Sequence, residues 1–290
     1  MTRAIALAKR NSFVFLRSGP TLFFSFLSSI IIVGLYILFI ANTYTAELSS
    51  FLPASEASFL VYVQMLAGII IINSLSLAVG SYSVIASDFE NRKVDSFLLA
   101  QAKAPELIAS YFIQAFMVSF LMNLLLWLAS LALIGGMTGF MVSFLAILQS
   151  VPILAFASFV SCSILLLFTA LVKSSSAISV MNGVSGTIFG FLCGIYMPFS
   201  LLGKGVEKIG SALPFTHMAV WLKSVALEDA IRIVGIPAES GAKVLESFSA
   251  QNVGFIGINV PMWGMLIYTA AIGLACLAIA SVVLKRRIAN

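Results

Sequence analysis

Six long apolar runs account for most of the chain: Thr21–Ala41, Phe59–Ala86, Ala109–Ile134, Phe144–Val172, Ala177–Pro198 and Val260–Leu284. Each approaches or exceeds the roughly 20 residues that carry a helix across a bilayer. Their continuity excludes the alternating strand pattern of an outer-membrane barrel. The pattern predicts an all-α membrane protein of six transmembrane helices, one domain over residues 1–290. Several runs exceed the minimum, which calls for tilt or for helical turns beyond the lipid.

The connecting segments differ in character. In residues 1–18, Arg3, Arg10 and Arg17 recur every seven residues and stack along one side of a helix, with Ile5, Ala8, Ser12, Phe15 and Leu16 on the other. Such a helix lies in the membrane interface, cations toward anionic lipid. Gly19-Pro20 then turns the chain into the bilayer. Residues 87–108 form a charged loop with Asp88, Glu90, Arg92, Lys93, Asp95, Lys103 and Glu106, and Pro105 opens the next helix, where proline is tolerated. The other connection on that side, Lys173-Ser174-Ser175-Ser176, is a tight turn. Gly135–Gly139 is a short flexible link. Residues 199–259 are mixed and predict an external helical segment: a short helix or re-entrant piece over Leu201–Ile209, a break at Leu213–His217, a helix over Met218–Val234 presenting Trp221, Leu222 and Val225, and a third helix within Gly235–Val253. This segment is expected to rest on the outer mouth as a lid.

Polar residues inside the runs follow helical spacing. Tyr62, Met65, Ile69, Asn73, Ser76, Gly80 and Ser83 share one face of the second run, which suits helix packing or a substrate-facing wall. Gln114, Asn123 and Gln149 are expected to bond between helices. Gly186, Gly190 and Gly194 mark a close approach, within one chain or across a dimer, with Asn182 and Ser185 nearby. His217 is expected to serve as a hydrogen-bonding residue at a helix start.

Composition sharpens the membrane assignment: 61% of residues are hydrophobic and 9% charged, against about 25% charged in a soluble domain. The net charge of +5 matters less than its placement. With the N-terminus inside, Arg3, Lys9, Arg10, Arg17, Arg92, Lys93, Lys103, Lys173, Lys285, Arg286 and Arg287 are all cytosolic, and the first two external loops hold no Lys or Arg. The positive-inside rule therefore predicts cytosolic N- and C-termini in the cell membrane. The first run is too long for a signal-peptide core and is expected to be retained. Cys162, Cys193 and Cys276 fall in separate runs, without metal or disulfide spacing. A single histidine excludes a His-based metal site and a Ser-His-Asp triad, and no phosphate-binding glycine loop occurs. No ionisable residue sits deep in a run, which argues against ion coupling. An ion-coupled secondary transporter is the alternative reading. Energy for uphill movement is expected from another polypeptide, and no nucleic acid partner is implied.

The charged stretch Ser87-Asp88-Phe89-Glu90-Asn91-Arg92-Lys93-Val94-Asp95-Ser96-Phe97-Leu98-Leu99, the Ala104-Pro105 that follows it, Tyr196-Met197-Pro198 and Leu213-Pro214-Phe215-Thr216-His217 together resemble the membrane (permease) subunit of type-2 ABC exporters. That class includes drug, peptide, haemolysin and polysaccharide exporters. The likeness spans nearly the whole chain, although Leu213 stands where Asn is commoner. It implies two permease subunits, identical or homologous, and two ATP-binding cassette subunits, with ATP and Mg held on the latter and no cofactor in this chain. It implies docking of the 87–108 coupling loop through Asp88, Glu90, Arg92, Lys93 and Asp95, helped by Arg10. The implied substrate path would run past Tyr62, Met65, Asn73, Ser76, Asn182, Ser185 and Phe189, for an amphiphilic drug, peptide or lipid-like cargo.

Overall fold

The computed structural model describes residues 2–35, 41–49, 52–172, 175–197, 199–251, 254–256, 258 and 260–289. Among them are thirteen helices in chain order. They are α1 (Thr2–Arg17), α2 (Gly19–Leu35), α3 (Ala41–Leu48), α4 (Ala54–Glu90), α5 (Lys93–Leu99), α6 (Ala104–Thr138) and α7 (Phe144–Leu171). Then come α8 (Ser175–Leu192), α9 (Phe199–Leu202), α10 (Lys204–Ser211), α11 (Pro214–Val234), α12 (Ala238–Ser247) and α13 (Met262–Ala289). No strand occurs among the described residues. Among the described residues, four helices are long and apolar enough to cross a membrane: α4, α6, α7 and α13. The first expected span is covered by α2 up to Leu35, and residues 36–40 lie outside the described residues, as does Pro198 at the end of the fifth.

Helix α4 is the axis of the bundle. Nearly its whole length from Phe59 to Ala86 is buried, enclosed by α2, α6, α7, α8 and α11. Helix α13 lies at the periphery and exposes Trp263, Ile267, Leu274, Ile279 and Val282, a surface that suits lipid rather than water. Between apolar helices in lipid, small and polar side chains supply the specific contacts. Asn73 donates to Asn123 Oδ1 at 2.8 Å, Ser74 Oγ meets Ser161 Oγ at 2.6 Å, and Ser119 Oγ donates to the Ser74 carbonyl at 3.2 Å. Tyr82 OH donates to the Cys162 carbonyl at 2.8 Å, and Trp127 Nε1 to Ser150 Oγ at 2.9 Å. Each such bond adds on average about 0.6 kcal/mol. Their value lies in fixing register between helices whose apolar faces alone would slide.

The bundle has two chemically distinct ends. One gathers α1, α5 and the C-terminal turns of α4, α7 and α13: Arg287 donates to the Val172 carbonyl at 3.1 Å and lies over the Phe89 ring at 4.2 Å. The other holds the start of α7, where Ser143 caps the helix by accepting from the Ala146 N–H, and the C-terminal half of α11. The first is the Asp88 end and the second the Ser143 end.

Among the described residues after 198, helices α9 to α12 run from Phe199 to Ser247 as expected, but they do not simply rest on the bundle. Helix α11 packs into it against α4 and α7, with Trp221 edge-on to Phe156 and the Lys223 chain against Gly68. The glycine row of α8 is also used differently from a helix–helix contact. The chain folds back after Leu192, Tyr196 OH donates to the Gly186 carbonyl at 2.9 Å, and the Tyr196 ring covers Gly190. A Cβ at Gly190 would stand 2.0 Å from that ring, so the glycine makes room for an aromatic side chain of the same molecule. Cys193 consequently lies in this turn, beyond the helix.

Gly190→Ala should therefore lower the thermal unfolding midpoint in detergent, by the equivalent of roughly 1–3 kcal/mol of overpacking. Gly136→Ala inside α6, where a Cβ meets nothing within 4 Å, should instead raise the midpoint slightly, by the equivalent of up to about 1 kcal/mol of helix propensity.

Candidate functional site

The charged loop begins inside α4. That helix runs unbroken to Glu90, so Asp88 is a helical residue and its carboxylate is 1% exposed. A buried carboxylate requires compensating donors. Arg10 Nη1 donates to Asp88 Oδ2 at 2.6 Å and Nη2 to Oδ1 at 3.0 Å, the two-pronged geometry that guanidinium and carboxylate share. Tyr111 OH, from α6, donates to Oδ2 at 2.9 Å, and Lys93 Nζ stands 4.0 Å from Oδ1. Arg10 also donates to Asn11 Oδ1 at 2.8 Å and lies 5.3 Å from the centre of the Phe97 ring on α5. The hydrogen bond to Asp88 pushes the Arg10 pKa further up, against desolvation, so it stays a cation throughout the accessible pH range. One carboxylate thus ties together α1, α4, α5 and α6.

Helix α1 reaches this position through a face that sequence spacing placed elsewhere. Its protein-facing residues are Ala4, Ala8, Asn11 and Phe15, whereas Ile5, Phe13 and Leu16 are exposed. Arg3, Arg10 and Arg17 form a third edge. Arg3 Nη1 donates to the Gln101 carbonyl at 2.9 Å, Arg10 grips Asp88, and Arg17 lies over Phe13. Two of the three cations are therefore engaged with the loop and its root.

Beyond the clamp, α5 is a two-turn projection. Arg92 and Gln101 bracket it in the left-handed region, with φ of 52° and 61°, which turns the chain sharply at both ends. Val94 is buried as an anchor. Glu90, Arg92, Lys93 and Asp95 are exposed, and Leu99 at the tip is 87% exposed. The six proposed docking residues thus separate: Asp88 and Arg10 are turned inward as a brace, and the other four face solvent beside an apolar tip. At the entry to α6, Glu106 Oε2 accepts from the Lys103 N–H at 2.9 Å.

The proposed path residues do not converge on one chamber. Tyr62 and Met65 line an apolar cavity of about 420 Å³ between α2, α4 and α6, together with Phe26, Ile30, Ile134 and Met137. Asn73 is spent on Asn123, and Ser76 Oγ is buried without a partner among the described residues. Phe189 packs edge-on to Phe215 at 5.4 Å. Asn182 and Ser185 fall on α8, but their side chains lie outside the described ones. Of the three isolated amides, Asn123 bonds between helices, Gln114 is buried with both polar atoms unpartnered among the described residues, and Gln149 is exposed. His217 Nε2 donates to the Ser211 carbonyl at 2.8 Å in the first turn of α11, and burial lowers its pKa.

Two buried charges of α11 escaped the sequence reading. Asp229 accepts from the Ser143 N–H at 2.7 Å and Ser143 Oγ at 2.8 Å and pairs with Arg232. Lys223 is 3% exposed, and its Nζ finds the Phe248 carbonyl at 3.5 Å. The apolar neighbours Val220, Ala226 and Leu227 at helical spacing were the available signal for Lys223. No group of three or more potential metal ligands occurs among the described residues. No protein-family model matches the chain, and no curated protein matches it.

Two outcomes test these charges. Asp88→Ala, which strands Arg10, should destabilise by roughly 3–5 kcal/mol, and adding Arg10→Met should recover part of that loss, as a double-mutant cycle by thermal unfolding would measure. Burial pushes the Lys223 ammonium from 10.5 down to about 8. Between those values the unfolded chain keeps a proton that the folded chain has released, so stability should rise with pH across that window. Lys223→Met should raise the unfolding midpoint at pH 7 and abolish that rise.

Proposed function

We propose that this chain is the permease subunit of an ATP-driven exporter of the type-2 ABC class. Six spans, counting α2 and α8 with the four long helices, cross the cell membrane with both termini in the cytosol. The Asp88 end faces the cytosol, in keeping with the basic residues of α1, α5 and α13 that gather there. A second copy or a homologous permease completes the path. Two separate ATP-binding cassette subunits hold ATP and Mg, and they dock on the exposed α5 tip through Glu90, Arg92, Lys93, Asp95 and Leu99.

The observation that carries this reading is the Asp88 clamp. A loop that is only a linker has no need of a buried ion pair at its root. A loop that transmits force does, because displacement at its tip must reach the bundle axis rather than dissipate in a flexible hinge. The rigid continuity of α4 through Asp88 to Glu90 passes such a displacement along the most enclosed helix of the molecule. The apolar cavity beside Tyr62 and Met65 suits an amphiphilic cargo, since its lining offers few hydrogen-bonding groups.

Co-expression with the cognate ATPase subunit tests the proposal. The pair should copurify, and the triple reversal Glu90→Lys, Arg92→Glu, Lys93→Glu should cut recovery of the ATPase about tenfold or more while leaving membrane insertion intact. Transport by the chain without any nucleotide-binding partner would refute it.

A further inference from the structure

At the Asp88 end a cleft of about 370 Å³ opens between α6 and α13, within the roughly 300–1,000 Å³ typical of small-molecule sites. Helix α6 begins where α13 finishes, so the two walls run in opposite directions. On α6 the lining deepens from Pro105 through Ile108 to Phe112, and on α13 from Lys285 through Ser281 to Leu277. The α13 wall descends about 12 Å and the α6 wall about 10 Å, at 1.5 Å per residue. Phe112 closes the floor, braced edge-on by Phe159 of α7 with ring centres 5.7 Å apart.

Charge is confined to the mouth. Lys285 is the one charged residue in the described lining; it is exposed and makes no hydrogen bond or ion pair with the other described residues. Its direction is set from the far side of the helix. Arg287, two residues or about 200° further round, donates to the Val172 carbonyl and lies over the Phe89 ring, which pins the last turn of α13 with Lys285 toward the cleft. Glu106, the nearest acid along α6, is outside the lining and accepts from the Lys103 N–H. Below Lys285 the wall is apolar in effect, because the Ser281 hydroxyl donates to the Leu277 carbonyl at 2.7 Å. Both walls belong to helices long and apolar enough to cross a membrane. The cleft continues inward onto exposed Ile113 and Met117 of α6 and Leu274 of α13, surface that suits lipid. A soluble anion would use the cation and leave the slot empty, and a purely apolar occupant would leave the cation unpaired.

We propose that this cleft holds an anionic phospholipid of the leaflet at the Asp88 end. The order of groups matches in depth. The phosphate lies level with Lys285, the glycerol esters a turn deeper beside Ser281, and an acyl chain passes Ile108, Leu277 and Phe112 onto the exposed surface beneath. Basic pockets between membrane helices hold anionic headgroups by this combination of a surface cation and an apolar seam. The site uses no residue of the Asp88 clamp or of α5, and its existence does not depend on an ATPase partner.

The test uses the purified full chain in detergent micelles doped with equal amounts of dioleoyl phosphatidylglycerol and dioleoyl phosphatidylcholine, which share phosphate and chains and differ in net charge. Lipid retained after gel filtration is quantified by mass spectrometry. Phosphatidylglycerol should be retained about fivefold over phosphatidylcholine. Lys285→Gln should abolish that preference at an unchanged unfolding midpoint, and Lys285→Arg should keep it. Ala109→Phe adds bulk to the lining without changing charge and should lower retained phosphatidylglycerol about threefold. Arg286→Gln removes an equal charge from the same turn, outside the lining, and should leave the preference in place. Equal retention of the two lipids by the unaltered chain would overturn the proposal. So would a loss of preference in Arg286→Gln as large as that in Lys285→Gln, since the attraction would then belong to the basic end as a whole.

Discussion

The organisation of this molecule at its basic end depends on the cost of burying one charge. Asp88 sits 1% exposed on the last turns of the central helix, where an unpaired carboxylate is untenable. Satisfying it draws Arg10 from α1 and Tyr111 from α6, and brings Lys93 of α5 within 4.0 Å. Helix α1 is too short to span and meets the bundle through Ala4, Ala8, Asn11 and Phe15, a face with a single large apolar side chain. The guanidinium clamp supplies what packing does not. It also sets the direction in which α5 projects, because Arg10 lies over Phe97 as well.

The same logic recurs at the opposite end with different parts. Asp229 is buried on α11 and is satisfied by the capping residue of α7, Ser143, and by Arg232. A helix start with free N–H groups and a positive dipole end is a natural partner for a carboxylate. That bond locks α11 against α7. Each end of the bundle is thus pinned by one internal carboxylate, while the length between is held by serine, asparagine and tyrosine contacts of modest individual strength. Lys223 is the exception. It is buried with one long bond to a carbonyl, and α11 carries that cost because its apolar neighbours on both sides are enclosed.

For the proposed function, rigidity and exposure are divided within one loop. Residues that brace it face inward, and residues able to meet a partner face outward around Leu99. Charge alone did not distinguish these roles. Asp88 and Asp95 have the same side chain and differ only in where the helix carries them.

The hydrophobic pattern and the placement of charge by themselves determined the helical class, four of the six expected long apolar helices, the helices after residue 199 and the concentration of basic residues at one end, because each follows from local spacing and the transfer cost of backbone and charge into lipid. Pro105 at a helix start and His217 in the first turn of α11 were legible for the same local reason. What only the tertiary structure decided was pairing. Nothing in the spacing of α1 says that Arg10 meets Asp88, 78 residues away. Nor does the glycine row of α8 say that Tyr196 covers Gly190, or the apolar spacing around Lys223 that its ammonium meets the Phe248 carbonyl. A helical wheel fixes which residues share a face, whereas the neighbour that face meets is set by how all the helices close around α4, and that is a property of the whole bundle.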